Sequence, residues 1–159
     1  MKHRTLFFLM SIWPILSMSA TTIKSCDTEF TAIIAIPGVM QLKRNEKEIR
    51  KIPVDHNIDG GSFSSDDSLL VIFGTPIKIN RNYPQVTHLS LYRLRPQPTL
   101  LMREVYGGGV YDARFSSDQR FVLVENQFGA DVLDISRMKS KSFEPTYSPP
   151  FLTQKCHGK

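Results

Sequence analysis

The segment Phe63-Ser64-Ser65-Asp66 occurs a second time along the chain as Phe115-Ser116-Ser117-Asp118. Each copy follows a glycine-containing stretch and precedes a short apolar run, residues 69–72 in one case and 121–124 in the other. Ser and Asp side chains hydrogen-bond nearby backbone N–H groups, so they favour a tight reversal between two strands. The repeat therefore predicts a strand-turn-strand unit that is present twice, in which the Phe ends the inward-facing strand and buries its ring.

The other apolar runs of the chain have the same short, strand-like character. They occupy residues 30–36, 39–43, 89–94 and 132–135, and Gly, Pro, Asn or Asp residues bound most of them. Runs of this length that are rich in β-branched and aromatic residues favour strands over helices. Residues 44–51 alone show a weak helical pattern. The sequence predicts a single, mostly β domain built from antiparallel hairpins.

The repeated segments resemble a blade of the WD-repeat and Tol-associated β-propellers. In those families a Phe-Ser-Pro-Asp-Gly turn joins the first two strands of a blade, and a later strand ends in an apolar-Asp-apolar signature. Residues 115–118 with 132–135 resemble one blade, and residues 63–66 with 89–94 resemble another. A Ser replaces the Pro of that turn in both copies, and the Trp of the WD dipeptide is absent. The resemblance implies an antiparallel meander of two propeller-like blades, forming an incomplete propeller or a distorted sandwich.

The first twenty residues, MKHRTLFFLMSIWPILSMSA, have the layout of a secretory signal peptide. A basic start is followed by an apolar run to Leu16 and then by the small residues Ser17, Ser19 and Ala20. This order is typical of a segment that is cleaved on export, here after Ser19 or Ala20. The alternative is an uncleaved anchor. We therefore expect residues 1–20 to be removed and residues 21–159 to form one β-rich, periplasmic domain with a polar, Pro-containing C-terminal tail.

The two cysteines, Cys26 and Cys156, are the only ones in the chain. Export would place both thiols in an oxidising compartment, where an even cysteine count usually indicates a bridge. We therefore expect a disulfide that ties the two ends of the domain together. Two alternatives remain open, a pair of free thiols and lipidation of Cys26, although Lys24 beside the lipidation site is unsuited to the latter.

Composition and motifs argue against several classes of function. The formal net charge is +5 over 159 residues, well below the dense positive field of a nucleic-acid-binding protein. We find no nucleotide-binding fingerprint, no zinc-ligand spacing among the histidines and no Gly-x-Ser-x-Gly nucleophile motif. Asp55 and His56, together with one of several serines, supply the residue types of a hydrolase triad, but a triad is defined by its geometry and not by composition. The sequence predicts no catalytic residues, no metal ligands and no cofactor.

The most unusual segment of the domain is the glycine-rich stretch at residues 106–112. It contains Tyr106, Gly107, Gly108, Gly109, Tyr111 and Asp112. Nothing that follows it supports a phosphate loop, so the alternatives are a flexible connection and a recognition loop. Arg81 and Tyr83 add an arginine and an aromatic group of the kind enriched at interface hot spots. We expect these residues to form a partner-binding surface.

Three function classes remain after these exclusions. The first is an exported protein-binding module, and its general layout resembles the periplasmic immunity proteins that protect bacteria against type VI secretion effectors. That resemblance rests on layout alone and implies occlusion of the active site of a secreted toxin acting on the cell envelope. The second class is an envelope-assembly or scaffold protein of β-propeller type, and the third is a periplasmic enzyme. The first class is our prediction, with a protein partner, no nucleic acid and no membrane span in the mature form.

Overall fold

Three four-stranded antiparallel sheets form the fold of the chain. The computed structural model describes residues 21–79, 81–83 and 85–156, so the predicted signal peptide lies outside the described residues. The first sheet contains β1 (Thr22–Lys24), β2 (Phe30–Ile36), β3 (Val39–Arg44) and β4 (Lys47–Pro53). The second contains β5 (Gly60–Phe63), β6 (Leu69–Gly74), β7 (Thr87–Arg93) and β8 (Thr99–Tyr106). The third contains β9 (Val110–Phe115), β10 (Phe121–Asn126), β11 (Gly129–Asp134) and β12 (Lys139–Phe143).

Each sheet is a simple meander in which consecutive strands are hydrogen-bonded neighbours. The prediction of a mostly β, antiparallel single domain is therefore confirmed, although the described chain has three such sheets where two were expected. The weak helical pattern at residues 44–51 was misleading, because this segment lies in the β3–β4 hairpin and β4 pairs with β3. Six of the seven β4 side chains are exposed and only Ile52 is buried, so the strand lacks the alternation that would identify it.

The middle sheet separates two hydrophobic cores. One face of it packs against the first sheet, and the other packs against the third. Successive residues of β6 point to opposite faces, so that Leu70 and Ile72 belong to the first core and Val71 and Phe73 to the second. Because both faces are covered, all six residues of β6 are buried. The predicted burial of the two repeat phenylalanines is confirmed, since Phe63 and Phe115 are 2% and 1% exposed.

The Ser-x-Asp turn that the sequence shows twice is present three times in the structure. The first turn lies between β1 and β2, the second between β5 and β6, and the third between β9 and β10. In the second turn, the Ser64 hydroxyl donates to Asp66 Oδ1 at 2.7 Å and accepts from the Leu69 N–H at 2.9 Å. The third turn repeats this arrangement with Ser116, Asp118 and Phe121. In the first turn, Ser25 donates to Asp27 at 2.6 Å and accepts from the Phe30 N–H at 2.9 Å.

The three turns share their backbone geometry as well. The residue after the Asp has a positive φ in each, at Thr28, Asp67 and Gln119. The Ser N–H also donates to the carbonyl of the residue that begins the following strand, at 2.9–3.0 Å in all three. Each sheet thus begins with an equivalent strand-turn-strand unit, and the first copy escapes sequence comparison because Cys26 replaces the second Ser and Lys24 replaces the Phe.

The three turns meet at one end of the molecule, which we call the turn end. Gln119 in the third turn donates to the Ser65 hydroxyl of the second at 2.7 Å. The Gln154 N–H donates to the Phe115 carbonyl, and its side-chain amide donates to the Phe63 carbonyl at 3.2 Å. The predicted disulfide between Cys26 and Cys156 is confirmed. The end of the described chain therefore crosses all three turns and is fixed to the first.

The C-terminal tail also covers the outer face of the third sheet. The Phe151 ring stacks on Phe121 with centroids 5.1 Å apart, and Tyr147 stacks on Phe143 at 3.8 Å. Without a cover, the outer face of this last sheet would expose apolar side chains to water. The tail reduces that exposure and then returns to the turn end, so it covers the outer side of the third sheet.

Candidate functional site

The loops that connect the strands at the opposite end of the molecule form what we call the loop face. Because strands of a meander alternate in direction, the β2–β3, β4–β5, β6–β7, β8–β9 and β10–β11 connections all lie away from the turn end. Direct contacts join them. The Asn57 N–H donates to the Thr75 carbonyl at 2.8 Å, and a Cβ at Gly38 would lie 3.7 Å from Ile77 Cδ1. The loop face therefore brings together segments that are distant in the sequence.

Most of the exposed large apolar side chains of the described residues lie on the loop face or at the strand ends beside it. Phe128 is 70% exposed and Tyr111 is 67% exposed. The complete set at this end is Ile36, Ile77, Ile79, Tyr83, Val105, Tyr111 and Phe128. A concentration of such groups on one surface is typical of a protein-interaction site, whereas isolated exposed apolar residues are ordinary.

The three glycines of the predicted glycine-rich segment form the β8–β9 connection on the loop face, and the rest of the segment belongs to β8 and β9. Gly109 adopts a φ of +82°, which favours glycine, and Gly107 has open space around it. Gly108 is different, because a Cβ there would lie 2.5 Å from the Phe128 ring and 2.9 Å from Gln127. The absence of a side chain at Gly108 lets the β8–β9 and β10–β11 loops pack together.

The two tyrosines of this segment occupy different environments. Tyr106 packs against the second core, and burial together with the nearby Asp131 carboxylate raises the pKa of its hydroxyl. Tyr111 is directed to solvent and makes no hydrogen bond to another described residue. Tyr111 is therefore available to a partner, whereas Tyr106 contributes chiefly to packing beneath the loop.

The remaining predicted contact residues are divided between two surfaces. Arg81 and Tyr83 lie in the long β6–β7 connection and are exposed on the loop face. Asp112 instead pairs with Arg114 at 2.8 Å and lines a cavity of about 330 Å³ between β1, β5 and β9. The structure thus places Tyr83, Arg81, Tyr111 and the glycines on one face, and it places Asp112 away from them. Sequence reasoning did not identify Phe128, Ile77 and Ile79, since nothing in the sequence shows that their loops meet.

The cavity of about 330 Å³ is lined by residues of β1, β5 and β9 and by the C-terminal tail. Lys24, Ser62, Arg114 and Gln154 line it, together with Cys156. Gln154 Oε1 is buried and accepts no hydrogen bond from the described residues.

A buried hydrogen-bonded pair, His56 and Ser90, joins the β4–β5 connection to β7. His56 and Ser90 are both 0% exposed, and His56 Nε2 lies 2.9 Å from Ser90 Oγ. His56 Nδ1 is 2.6 Å from the Asn57 carbonyl and must donate to it, which leaves Nε2 to accept from Ser90. Burial lowers the pKa of His56 and favours this neutral state. Solvent does not reach the Ser90 hydroxyl, so the pair serves as an internal hydrogen-bonded link.

Asp55 and His88 form a more exposed pair beside this link. His88 Nδ1 lies 3.1 Å from Asp55 Oδ2, and Arg103 Nη1 lies 3.2 Å from the same oxygen. Val54, Pro76 and Ile77 form an apolar depression next to Asp55 and His88. The carboxylate, the imidazole and the guanidinium are thus engaged with one another.

Comparisons with known proteins show the fold and do not identify a family. No protein-family model matches the chain, and a search of curated proteins finds no match. Among solved structures, the chain is similar to one titled "Crystal structure of the eukaryotic initiation factor", with a TM-score of 0.58 and 12% sequence identity. The similarity covers 78% of this chain and 32% of that chain. At this identity the likeness concerns the arrangement of strands alone. The described part of this chain contains no helix long and apolar enough to span a membrane.

Proposed function

We propose that this chain is an exported protein-binding domain that docks on a single protein partner through its loop face. The observation that carries the proposal is the gathering of exposed apolar side chains at that end, with Tyr83, Tyr111 and Phe128 among them. Aromatic residues and arginine are enriched at interface hot spots. Arg81 lies between Ile79 and Tyr83 in the same loop, so one face offers both kinds of group.

Export is the second element of the proposal. The Cys26–Cys156 bridge supports it, because disulfides persist mainly in oxidising compartments such as the periplasm. The signal-peptide pattern of residues 1–20 points in the same direction. The proposed binding through the loop face therefore takes place outside the cytoplasm.

The relationship to β-propellers is part of the same proposal. Propellers are built from four-stranded antiparallel sheets arranged around a central channel. The three sheets here have that strand number and order, and their first strands β1, β5 and β9 lie beside one another around the cavity. We regard the sheets as three blades of an open array.

The specific partner that we propose is an enzyme acting on the cell envelope, such as a secreted toxin, whose active site the loop face occludes. The β6–β7 connection presents the exposed Tyr83, and the first residues of β9, directly after the β8–β9 connection, present the exposed Tyr111. Loops of this kind are suited to insertion at the rim of a substrate cleft. This makes the chain an immunity or inhibitor protein rather than a scaffold.

The test is differential capture from an extract of the envelope and secreted proteins of the source cells. Tagged wild-type domain is compared with a Tyr111→Ala, Phe128→Ala double variant and with Leu152→Ala as a control. Leu152 is 80% exposed at the turn end, so the control removes an exposed apolar group from the other surface. We expect one partner, at fixed stoichiometry, with the wild type and the control but not with the double variant, and we expect its enzymatic activity to be lost in the complex.

Two results would contradict the proposal. Equal capture by all three forms would show that the partner does not use the loop face. Capture of many resident envelope proteins without inhibition would instead favour an assembly or scaffold function. Circular dichroism of each variant verifies that differences in capture do not arise from unfolding.

A further inference from the structure

The middle sheet ends at an edge strand whose outer side is uncovered. β8 is hydrogen-bonded to β7 on one side. Within residues 21–79, 81–83 and 85–156, no strand or isolated bridge pairs with its other side. At eight residues, β8 is also the longest of the described strands. Because an uncovered edge presents backbone N–H and C=O groups that can pair with a further strand, a fifth strand can join the middle sheet here.

The corresponding edge strands of the other two sheets carry side chains that hinder such pairing. β4 contains three cationic residues and ends at Pro53, and β12 contains Lys139 and Lys141 within five residues. Lysine on an edge strand opposes the approach of another strand by its charge, and proline has no N–H to donate. Both edges are thus protected, although they occupy the same position in their sheets as β8 does in the middle one.

β8 contains neither lysine nor proline. Leu100 and Val105, near its two ends, are 40% and 61% exposed. Its one cation, Arg103, is compensated, because Nη1 lies 3.2 Å from Asp55 Oδ2. A bulge at Leu101 interrupts the register with β7, but the β3–β4 pair has a similar irregularity, so a bulge does not distinguish the two edges. β8 is therefore the edge strand that combines exposed apolar groups with compensated charge.

The charges of β8 favour a second copy of this chain as the added strand. β8 carries one cation and one carboxylate, Arg103 and Glu104. β4 has three cations against one carboxylate, and β12 has two cations and no carboxylate, so pairing of either with its own copy would bring like charges together. Antiparallel pairing about the middle of β8 instead places the Leu100 end of one copy against the Val105 end of the other. The exposed apolar groups of both copies are then covered.

We propose that β8 pairs with β8 of a second copy, so that the two middle sheets form one antiparallel, eight-stranded sheet across a two-fold axis. Such an interface is isologous, because the same strand supplies both sides of the contact. The contact is confined to one strand from each copy and is therefore small, so the dimer is weak and reversible.

The test measures the mass of the disulfide-bonded protein in solution by sedimentation equilibrium, for wild type, Leu100→Lys, Val105→Lys and Ile49→Lys. Ile49 is 48% exposed on β4, so the control also places a lysine at an exposed apolar position of an edge strand and changes the net charge equally. Val105 lies beside the loop face, whereas Leu100 is at the opposite end of β8, so Leu100→Lys leaves the loop face unaltered. Circular dichroism verifies that each variant is folded.

We expect wild type and Ile49→Lys to dimerise with a dissociation constant between about 1 μM and 1 mM, as for a small interface. Both β8 variants should weaken dimerisation by at least about tenfold, because a lysine on an edge strand opposes pairing. Hydrogen–deuterium exchange, compared below and above the dissociation constant, should become slower in residues 99–106 and stay unchanged in residues 47–53.

Three results would overturn the proposal. The first is a wild type that stays monomeric at concentrations up to about 1 mM. The second is a dimer that both β8 variants retain, and the third is a dimer that Ile49→Lys also abolishes. These measurements need no protein partner, so their outcome is independent of the proposed docking function.

Discussion

Cys26 and Cys156 are joined across the turn end, with their Cα atoms 5.0 Å apart. Cys26 occupies the position in the first turn that Ser65 and Ser117 occupy in the other two. Because serine is accommodated there twice, Cys26→Ser removes the cross-link while preserving the local turn. The substitution therefore isolates the contribution of the bridge from that of the turn.

We expect Cys26→Ser to lower the free energy of unfolding by about 3–5 kcal/mol in oxidising buffer, since the bridge closes a loop of more than 100 residues in the unfolded chain. Denaturant unfolding followed by far-UV circular dichroism measures the difference in the free energy of unfolding between wild type and variant. Reductant should bring the wild type to the stability of the variant. Equal stability of the two proteins under oxidising conditions would show that the bridge does not restrain the unfolded state.

The buried serine of each Ser-x-Asp turn should contribute strongly to stability. Ser64 is 0% exposed, and its hydroxyl accepts the Leu69 N–H. Substitution by Ala would leave that N–H buried without a partner, at a cost of about 1–3 kcal/mol. Denaturant unfolding of Ser64→Ala should show this loss. Ser65→Ala, which removes only an exposed acceptor for Gln119, should cost less than about 1 kcal/mol, and similar losses in both variants would refute the assignment.

His56 should make the stability of the domain depend on pH. Its folded-state pKa is lowered by burial, while Asp55, His88 and Arg103 surround it. A lowered pKa means that the neutral form stabilises the fold above about pH 6.5, the unfolded value, and that this contribution is lost as the pH falls below it. We expect the free energy of unfolding to decrease between pH 7.5 and 5.5. His56→Gln, which retains a donor and an acceptor, should show a smaller decrease; an unchanged slope would contradict the prediction.

The two tyrosines flanking the glycines should respond differently to substitution. Tyr111→Ala should weaken partner binding by about 2 kcal/mol, as expected of an aromatic hot spot, without changing the unfolding temperature. Tyr106→Ala should lower the unfolding temperature, because the Tyr106 ring packs on the second core. Binding is measured by surface plasmon resonance with the captured partner and stability by calorimetry. A Tyr111→Ala variant that binds normally would remove this residue from the interface.

The central strands of the sheets were predictable from the sequence, and most of the outer ones were not. The six strands with predicted bounds correspond to β2, β3, β6, β7, β10 and β11, which are the two central strands of each sheet. Central strands are apolar because other strands and sheets cover them. Among the first strands, Gly60–Phe63 contains two glycines and Thr22–Lys24 is only three residues long. The last strands are largely charged or exposed, so neither group has the apolar alternation that identifies a strand.

The candidate site was predictable only in part, for a related reason. Local composition identified the Tyr- and Gly-rich segment and the Arg81–Tyr83 loop. Phe128 and Ile77 become significant only when the fold places their loops beside Gly108 and Gly38. Conversely, Asp112 has the composition of a contact residue, but the alternation of β9 directs it into the inner cavity. Contacts between distant loops depend on the order of the sheets, which single-sequence patterns do not determine.

The most direct test of the account is a hydrogen–deuterium exchange footprint of the captured complex, compared with the free domain. We predict that the partner slows amide exchange at residues 75–79, 81–83, 106–111 and 127–128, and leaves the three Ser-x-Asp turns unchanged. Protection centred on the turns or on the outer face of the first sheet, with the loop face still exchanging freely, would contradict the central claim that this protein binds through its loop face.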